Sequence, residues 1–224
     1  MDKEKDTDKK HSRPSTSTHN PNENIENINR YDRLFNIFRE SDQLVASQNV
    51  IDETNRLYLY HLTDQMAGAG LRFPFEDRQY LVIPHNASSL QILVNRFALS
   101  PQRRWVHEQA QNVDLDSLNF ITFQQLMYGL FQEGGVTWER VLVLFYFCTD
   151  LSIRALQEKF VDYFIRIYNW TTSYITRRLS VWVEQEGGWG VVLQTSVDYA
   201  RNFSILGVCA IGVLLMCLYI RSRS

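Results

Sequence analysis

Eight consecutive apolar residues, Val141-Leu142-Val143-Leu144-Phe145-Tyr146-Phe147-Cys148, follow Trp138 in the second half of the chain. A segment apolar on every side is stable only when other elements enclose it. Whatever this chain folds into, that run must lie at the centre. A buried strand is the competing reading, since the run is short and rich in Val and Phe. The continuation favours a helix: Ile153, Leu156 and Phe160 return at three- and four-residue spacing, the helical period. The same period runs on through Phe164, Ile165, Tyr168, Tyr174 and Ile175 to Arg178, which predicts an antiparallel helical partner.

The enclosing elements are also helical by spacing. Between Val45 and Met66, the residues Val50, Leu57, Tyr58, Leu62 and Met66 define one face of an amphipathic helix, with Gly68 and Gly70 as its C-terminal caps. After a loop holding Pro74 and Pro84, Ser88 and Ser89 are N-cap candidates for a helix whose inner side carries Leu90, Leu93, Val94 and Phe97, before Pro101 interrupts it. A further helix is expected from Arg103 to Asn112. Asp116 or Ser117 should open the next one, burying Phe120, Phe123, Leu126, Met127 and Leu130 and closing at Gly134-Gly135. No alternating pattern bounded by hairpin turns is present. The expected fold is all-α, a globular helical bundle around a central hydrophobic helix, with a C-terminal transmembrane helix.

That last element rests on Phe203 to Ile220, 18 residues without a charge, with Arg201 before it and Arg221 and Arg223 after it. As a helix it would span about 27 Å, near the thickness of a thin bilayer. Residues 1–30 are polar and charged, read as a disordered leader without a signal-peptide pattern. Tyr31 to Phe38 suits one or two helical turns packed on a domain that extends from 31 to 197. The domain is therefore expected in the cytosol, hung from a membrane by its tail, and the sequons at Asn86, Asn169 and Asn202 are expected to stay unmodified.

Charge and motif content narrow the function. Lys+Arg is 23 against Asp+Glu 25, a net charge of −2, which lacks the basic surplus that nucleic acid binding needs. Cys148, Cys209 and Cys217 all lie in apolar runs, so a disulfide framework is not expected. His11, His19, His61, His85 and His107 stand at no ligand spacing, and no P-loop, C-x-x-C, H-E-x-x-H or G-x-S-x-G occurs. Asp150 and Glu158 are placed on a hydrated helix flank, pairing with Arg154. Neither an enzyme nor a cofactor is expected. A binding module on a membrane is.

Two stretches are more specific. Leu130-Phe131-Gln132-Glu133-Gly134-Gly135-Val136-Thr137-Trp138-Glu139-Arg140 leads into the central helix, and Trp182-Val183-Glu184-Gln185-Glu186-Gly187-Gly188-Trp189 lies about 50 residues later. In the second, two tryptophans bracket a glycine pair, which permits a sharp turn between helices with two large anchors. In the first, Arg140 is the one charge at the mouth of the apolar run that a core role leaves unexplained. It is expected partly exposed in a cleft awaiting a carboxylate, or else locked in an internal salt bridge, because an unpaired buried charge is costly.

With the apolar tail, these stretches resemble the first and second homology motifs of the Bcl-2 family, L-F-x-x-G-x-N-W-G-R and W-I-x-x-x-G-G-W, over roughly Val45 to the end. The resemblance implies regulation of apoptosis at the outer mitochondrial membrane or the endoplasmic reticulum, through an apolar groove that receives an amphipathic helix of another family member. Homo- or hetero-dimers and contact with membrane lipid are also implied. Carried over by position, Leu126, Leu130, Thr137, Arg140, Leu142, Val143 and Phe147 would line the groove. Glu139 stands where the family has Gly, and would repel an acidic ligand. The chain's own ligand-like segment would be Leu90 to Phe97, with Leu90, Leu93 and Phe97 at the apolar positions, Val94 in place of Gly and Asn95 in place of Asp. An amide cannot replace the charge-assisted pair. This weak segment favours a pro-survival receptor over an effector that oligomerises and permeabilises the membrane. A tail-anchored scaffold without ligand binding is the third reading.

Overall fold

The computed structural model describes residues 45–74, 83–131 and 135–202, with backbone alone at 198–202. The leader, the Tyr31–Phe38 stretch and the expected anchor Phe203–Ile220 lie outside these residues. Every regular element among those described is helical: α1 (Gln48–Gly68), α2 (Ala87–Ala98), α3 (Pro101–Asn112), α4 (Phe120–Phe131), α5 (Trp138–Gln157), α6 (Val161–Tyr174), a π-helical turn (Ile175–Leu179), α7 (Ser180–Gln185) and α8 (Trp189–Asn202). None of the described helices is long and apolar enough to cross a membrane.

The apolar run becomes the axis of the bundle. From Arg140 to Ser152 every residue of α5 is buried, and α1, α2, α3, α4, α6 and α8 all pack on it. The helix stops where the pattern turns polar. Lys159 adopts a left-handed φ of 65°, and the amides of Lys159 and Phe160 donate back to Leu156 O (3.0 Å) and Ala155 O (2.7 Å). This Schellman closure gives partners to two carbonyls of the last turn before the chain turns into α6. The same closure ends α1, where Gly70 (φ 72°) supplies the left-handed residue and Gly68 is the last helical one.

Several helix starts differ from the sequence expectation. Ser88 and Ser89 fall inside the first turn of α2, which Asn86 precedes. Pro101 opens α3 as its first residue, since its missing amide would be unpaired there anyway. The fourth helix begins at Phe120, later than Asp116 or Ser117, because Asn119 Oδ1 accepts from the amides of Ile121 (2.9 Å) and Thr122 (3.1 Å). Phe123, Leu126, Met127 and Leu130 are buried as expected, but Phe120, in the first turn, is 49% exposed against Trp170.

Candidate functional site

The approach to α5 is built by Gly135 and Thr137. Gly135 takes φ 73°, which a side chain would resist. Thr137 is extended and acts as N-cap, with its carbonyl accepting from Val141 N at 3.0 Å and its hydroxyl from Arg140 N at a long 3.4 Å. A hydroxyl side chain can fill the capping role that Asn would otherwise take there. Glu139 occupies the first helical turn, where its charge complements the helix dipole, and is half-buried.

Arg140 corrects the expectation of a partly exposed guanidinium. The residue is only 5% exposed, and Nη1 donates to Gly135 O at 2.9 Å. Among the described residues no carboxylate pairs with it, and one backbone carbonyl therefore serves a group with five N–H donors.

The motif-derived apolar residues converge. Leu126 and Leu130 from α4 and Leu142, Val143 and Phe147 from α5 are each at most 4% exposed, and they share one core cluster with Leu90, Leu93, Val94 and Phe97 of α2. In this conformation these side chains are part of the buried core. Thr137 and Glu139 at its edge are half-buried. Asn95 points away from the core and accepts from Gln91 Nε2 at 2.9 Å.

The second motif belongs to a different neighbourhood. Gly187 and Gly188, at φ 92° and 94°, turn the chain from α7 into α8. Trp189 is buried and its Nε1 donates to Thr54 Oγ1 on α1 at 2.8 Å, while Trp182 is half-buried. Two further bonds reach α1 and its N-cap: Ser47 Oγ donates to Glu184 at 2.7 Å, and Asn55 Nδ2 to Thr176 Oγ1 at 3.0 Å. These residues fasten α1 to the C-terminal helices.

Asp150 departs furthest from expectation. It is buried, not hydrated, and its partner is Arg103 of α3, which grips it with two nitrogens at 2.6 and 2.8 Å. Glu158 does pair with Arg154, at 2.7 Å, and Arg154 also donates to the carbonyls of Ala110, Gln111 and Val113. It thereby caps the C-terminal end of α3. A lone carboxylate one turn after Tyr146 in an apolar stretch was the available signal for Asp150; its partner had none. Burial drives the Cys148 thiol up to about 12, which makes it inert. His61 is buried with neither ring nitrogen bonded among the described residues, and burial, then the Arg103 charge, hold it down at about 3. No cluster of three or more His, Cys, Asp or Glu among the described residues is placed to hold a metal. An open hollow of about 530 Å³, lined by Asn49, Asp52, Glu53, Arg56, His85 and Asn86 among others, shares no residue with the motif-derived set.

The Bcl-2 family model, described as apoptosis regulator proteins, matches residues 88–189, from the first turn of α2 to Trp189. Rat apoptosis regulator BAX is 35% identical over 82 residues, covering 37% of this chain and 42% of the rat protein. Chicken Bcl-2-like protein 1 is 32% identical over 106 residues, 42% of this chain and 46% of the relative. The chain thus spans under half the length of these two curated relatives. Among solved structures, Trichoplax adhaerens trBcl-2L2 bound to trBak BH3 superposes with a TM-score of 0.53 at 18% identity, covering 67% of this chain and 99% of that one. One family model running through both motif stretches, on a bundle wound about the apolar α5 that superposes on a Bcl-2 structure, makes residues 88–189 similar in sequence, and the described bundle similar in fold, to the Bcl-2 family of apoptosis regulators.

Proposed function

We propose that the chain regulates apoptosis by binding amphipathic helices of other Bcl-2 proteins at the α2–α4–α5 site, and that it acts as a pro-survival receptor. The observation carrying this reading is the apolar cluster of Leu126 and Leu130 on α4 with Leu142, Val143 and Phe147 on α5, the helix that also bears Arg140, a cation with a single carbonyl partner among the described residues. The apolar side chains supply contact area and the guanidinium supplies register for a ligand carboxylate. The BH3 segment bound to the Trichoplax neighbour supports the same helix-in-groove mode. Because these side chains are buried here, a ligand must shift α2 or α4 first, and its apparent affinity falls by the fraction of open molecules.

The pro-survival reading rests on α2. Its face of Leu90, Leu93, Val94 and Phe97 is spent on the chain's own core, and Asn95 lacks the charge that a donated ligand helix needs. An effector that oligomerises and permeabilises the outer mitochondrial membrane is the second reading, favoured by the identity to BAX. In either case the domain of 31–197 would work on the cytosolic face of that membrane or of the endoplasmic reticulum, behind the 1–30 leader. The segment Phe203–Ile220 would be its anchor in lipid. Calorimetric titration with ligand-helix peptides, paired with dye release from liposomes carrying the full chain, separates the cases. Tight binding without leakage supports the receptor, and peptide-triggered leakage supports the effector. No binding by the wild type or by Glu139→Gly leaves only a scaffold.

A further inference from the structure

Two pairs of side chains, each spaced by one helical turn, interlock between α3 and α5: Arg103 and His107 on the first, Tyr146 and Asp150 on the second. Arg103 Nη1 and Nη2 donate to Asp150 Oδ2 and Oδ1 at 2.6 and 2.8 Å, the planar two-point fit of a guanidinium on a carboxylate. His107 Nδ1 lies 3.4 Å from the same Oδ2. Held there, the guanidinium sits 4.4 Å from the centroid of the Tyr146 ring. Phe97 stacks on that ring at 5.1 Å and His61 meets it edge-on at 4.7 Å. The boxed ring has one place for its hydroxyl, which donates to Val94 O of α2 at 3.0 Å. Ser100 sets the register between α2 and Arg103, donating to Phe97 O at 2.7 Å and accepting from Arg103 N at 3.3 Å.

We propose that Asp150, Arg103 and Tyr146 form a clamp that pins α2 to α5, so that losing the Asp150 carboxylate frees α2 as a unit while the rest of the bundle stays folded. The apolar face of α2 attracts it to the core without direction; the clamp is directional and fixes where α2 lies. It also fails as a whole, because Arg103 both holds the carboxylate and covers the ring that bonds Val94, and members of such a network support one another. A carboxylate at 4% exposure persists only while its partners remain. The inference concerns the attachment of α2 with no ligand present, and so stands or falls apart from the receptor reading.

The test is amide hydrogen exchange on the full-length chain without ligand, read helix by helix, for wild type, Asp150→Asn and Tyr146→Phe. Asp150→Asn is expected to speed exchange across residues 87–98 by about tenfold or more and leave 161–174 at the wild-type rate. Tyr146→Phe keeps the ring and deletes only the hydroxyl, so it should give a smaller acceleration confined to the same helix. Equal acceleration of α2 and α6, or unchanged exchange in α2 in either variant, overturns the clamp. If Asp150→Asn does not fold, Tyr146→Phe alone decides: acceleration confined to 87–98 supports the clamp, and its absence refutes it.

Discussion

Replacing Arg140 by Met tests the site most directly, because stability should hardly respond while binding should weaken strongly. The guanidinium is 5% exposed with one carbonyl partner at 2.9 Å and no ion pair among the described residues. A hydrogen bond to a charged group contributes about 1.5–3 kcal/mol. Burying an ion costs several kcal/mol even after relaxation. With a single partner the two nearly cancel, so Arg140→Met, close in length and fully apolar, should change unfolding free energy by no more than about 1 kcal/mol and with either sign. Binding behaves differently. If the guanidinium meets a ligand carboxylate out of water, its removal should weaken association by about 2–5 kcal/mol, a factor from about thirty to several thousand. Urea denaturation measures the first quantity and isothermal titration with a ligand-helix peptide the second. A variant destabilised by more than about 3 kcal/mol that still binds with the wild-type dissociation constant would show that Arg140 is a structural residue, and the receptor argument would fail with it.

Other perturbations have equally definite outcomes. His61 is held at about 3, far below 6.5, so between those values the unfolded chain carries a proton that the folded one refuses, and stability falls as the pH drops. The slope is about 1.4 kcal/mol per pH unit; urea melts at pH 7 and about pH 5 should show the wild type losing roughly 2 kcal/mol more than His61→Phe, and parallel losses would contradict this. Trp189→Phe deletes the indole bond to Thr54 and should cost about 1–2 kcal/mol of unfolding free energy; no change would mean the second motif does not fasten α1. Gly188→Ala meets nothing within 4 Å, so the left-handed φ of 94° alone should destabilise it by about 1–2 kcal/mol in the same assay. Glu139→Gly should tighten binding of an acidic ligand helix in titration calorimetry, and an unchanged or weaker affinity would clear Glu139 of any repulsive role.

Helix identity and order were legible because their causes are local. Apolar spacing marked α1, α2, α4, α5 and α6, and the Gly70 and Gly187 turns could be placed because a left-handed closure needs a residue that tolerates positive φ. Boundaries slipped where two local signals competed. Asn119 outbid Ser117 as a cap by bonding two amides, and Asn86 preceded the serines that looked suitable. The motif residues were found by resemblance, and the bundle brings their apolar members into one cluster. Their burial was not readable, because it depends on how α2 and α4 settle on α5.

From its residues alone, Val141–Cys148 had to be enclosed by other elements, and the helical period on either side of it favoured a bundle with that run at its axis. Where the charges end up was settled only by packing. Asp150 looked like a surface acid paired within its own helix, yet it is buried against an arginine 47 residues earlier in the chain; Arg140 looked like an exposed grip, yet it folds back on Gly135. Asp150 can be buried because another helix delivers its partner, and helix crossings deliver partners that no local spacing encodes.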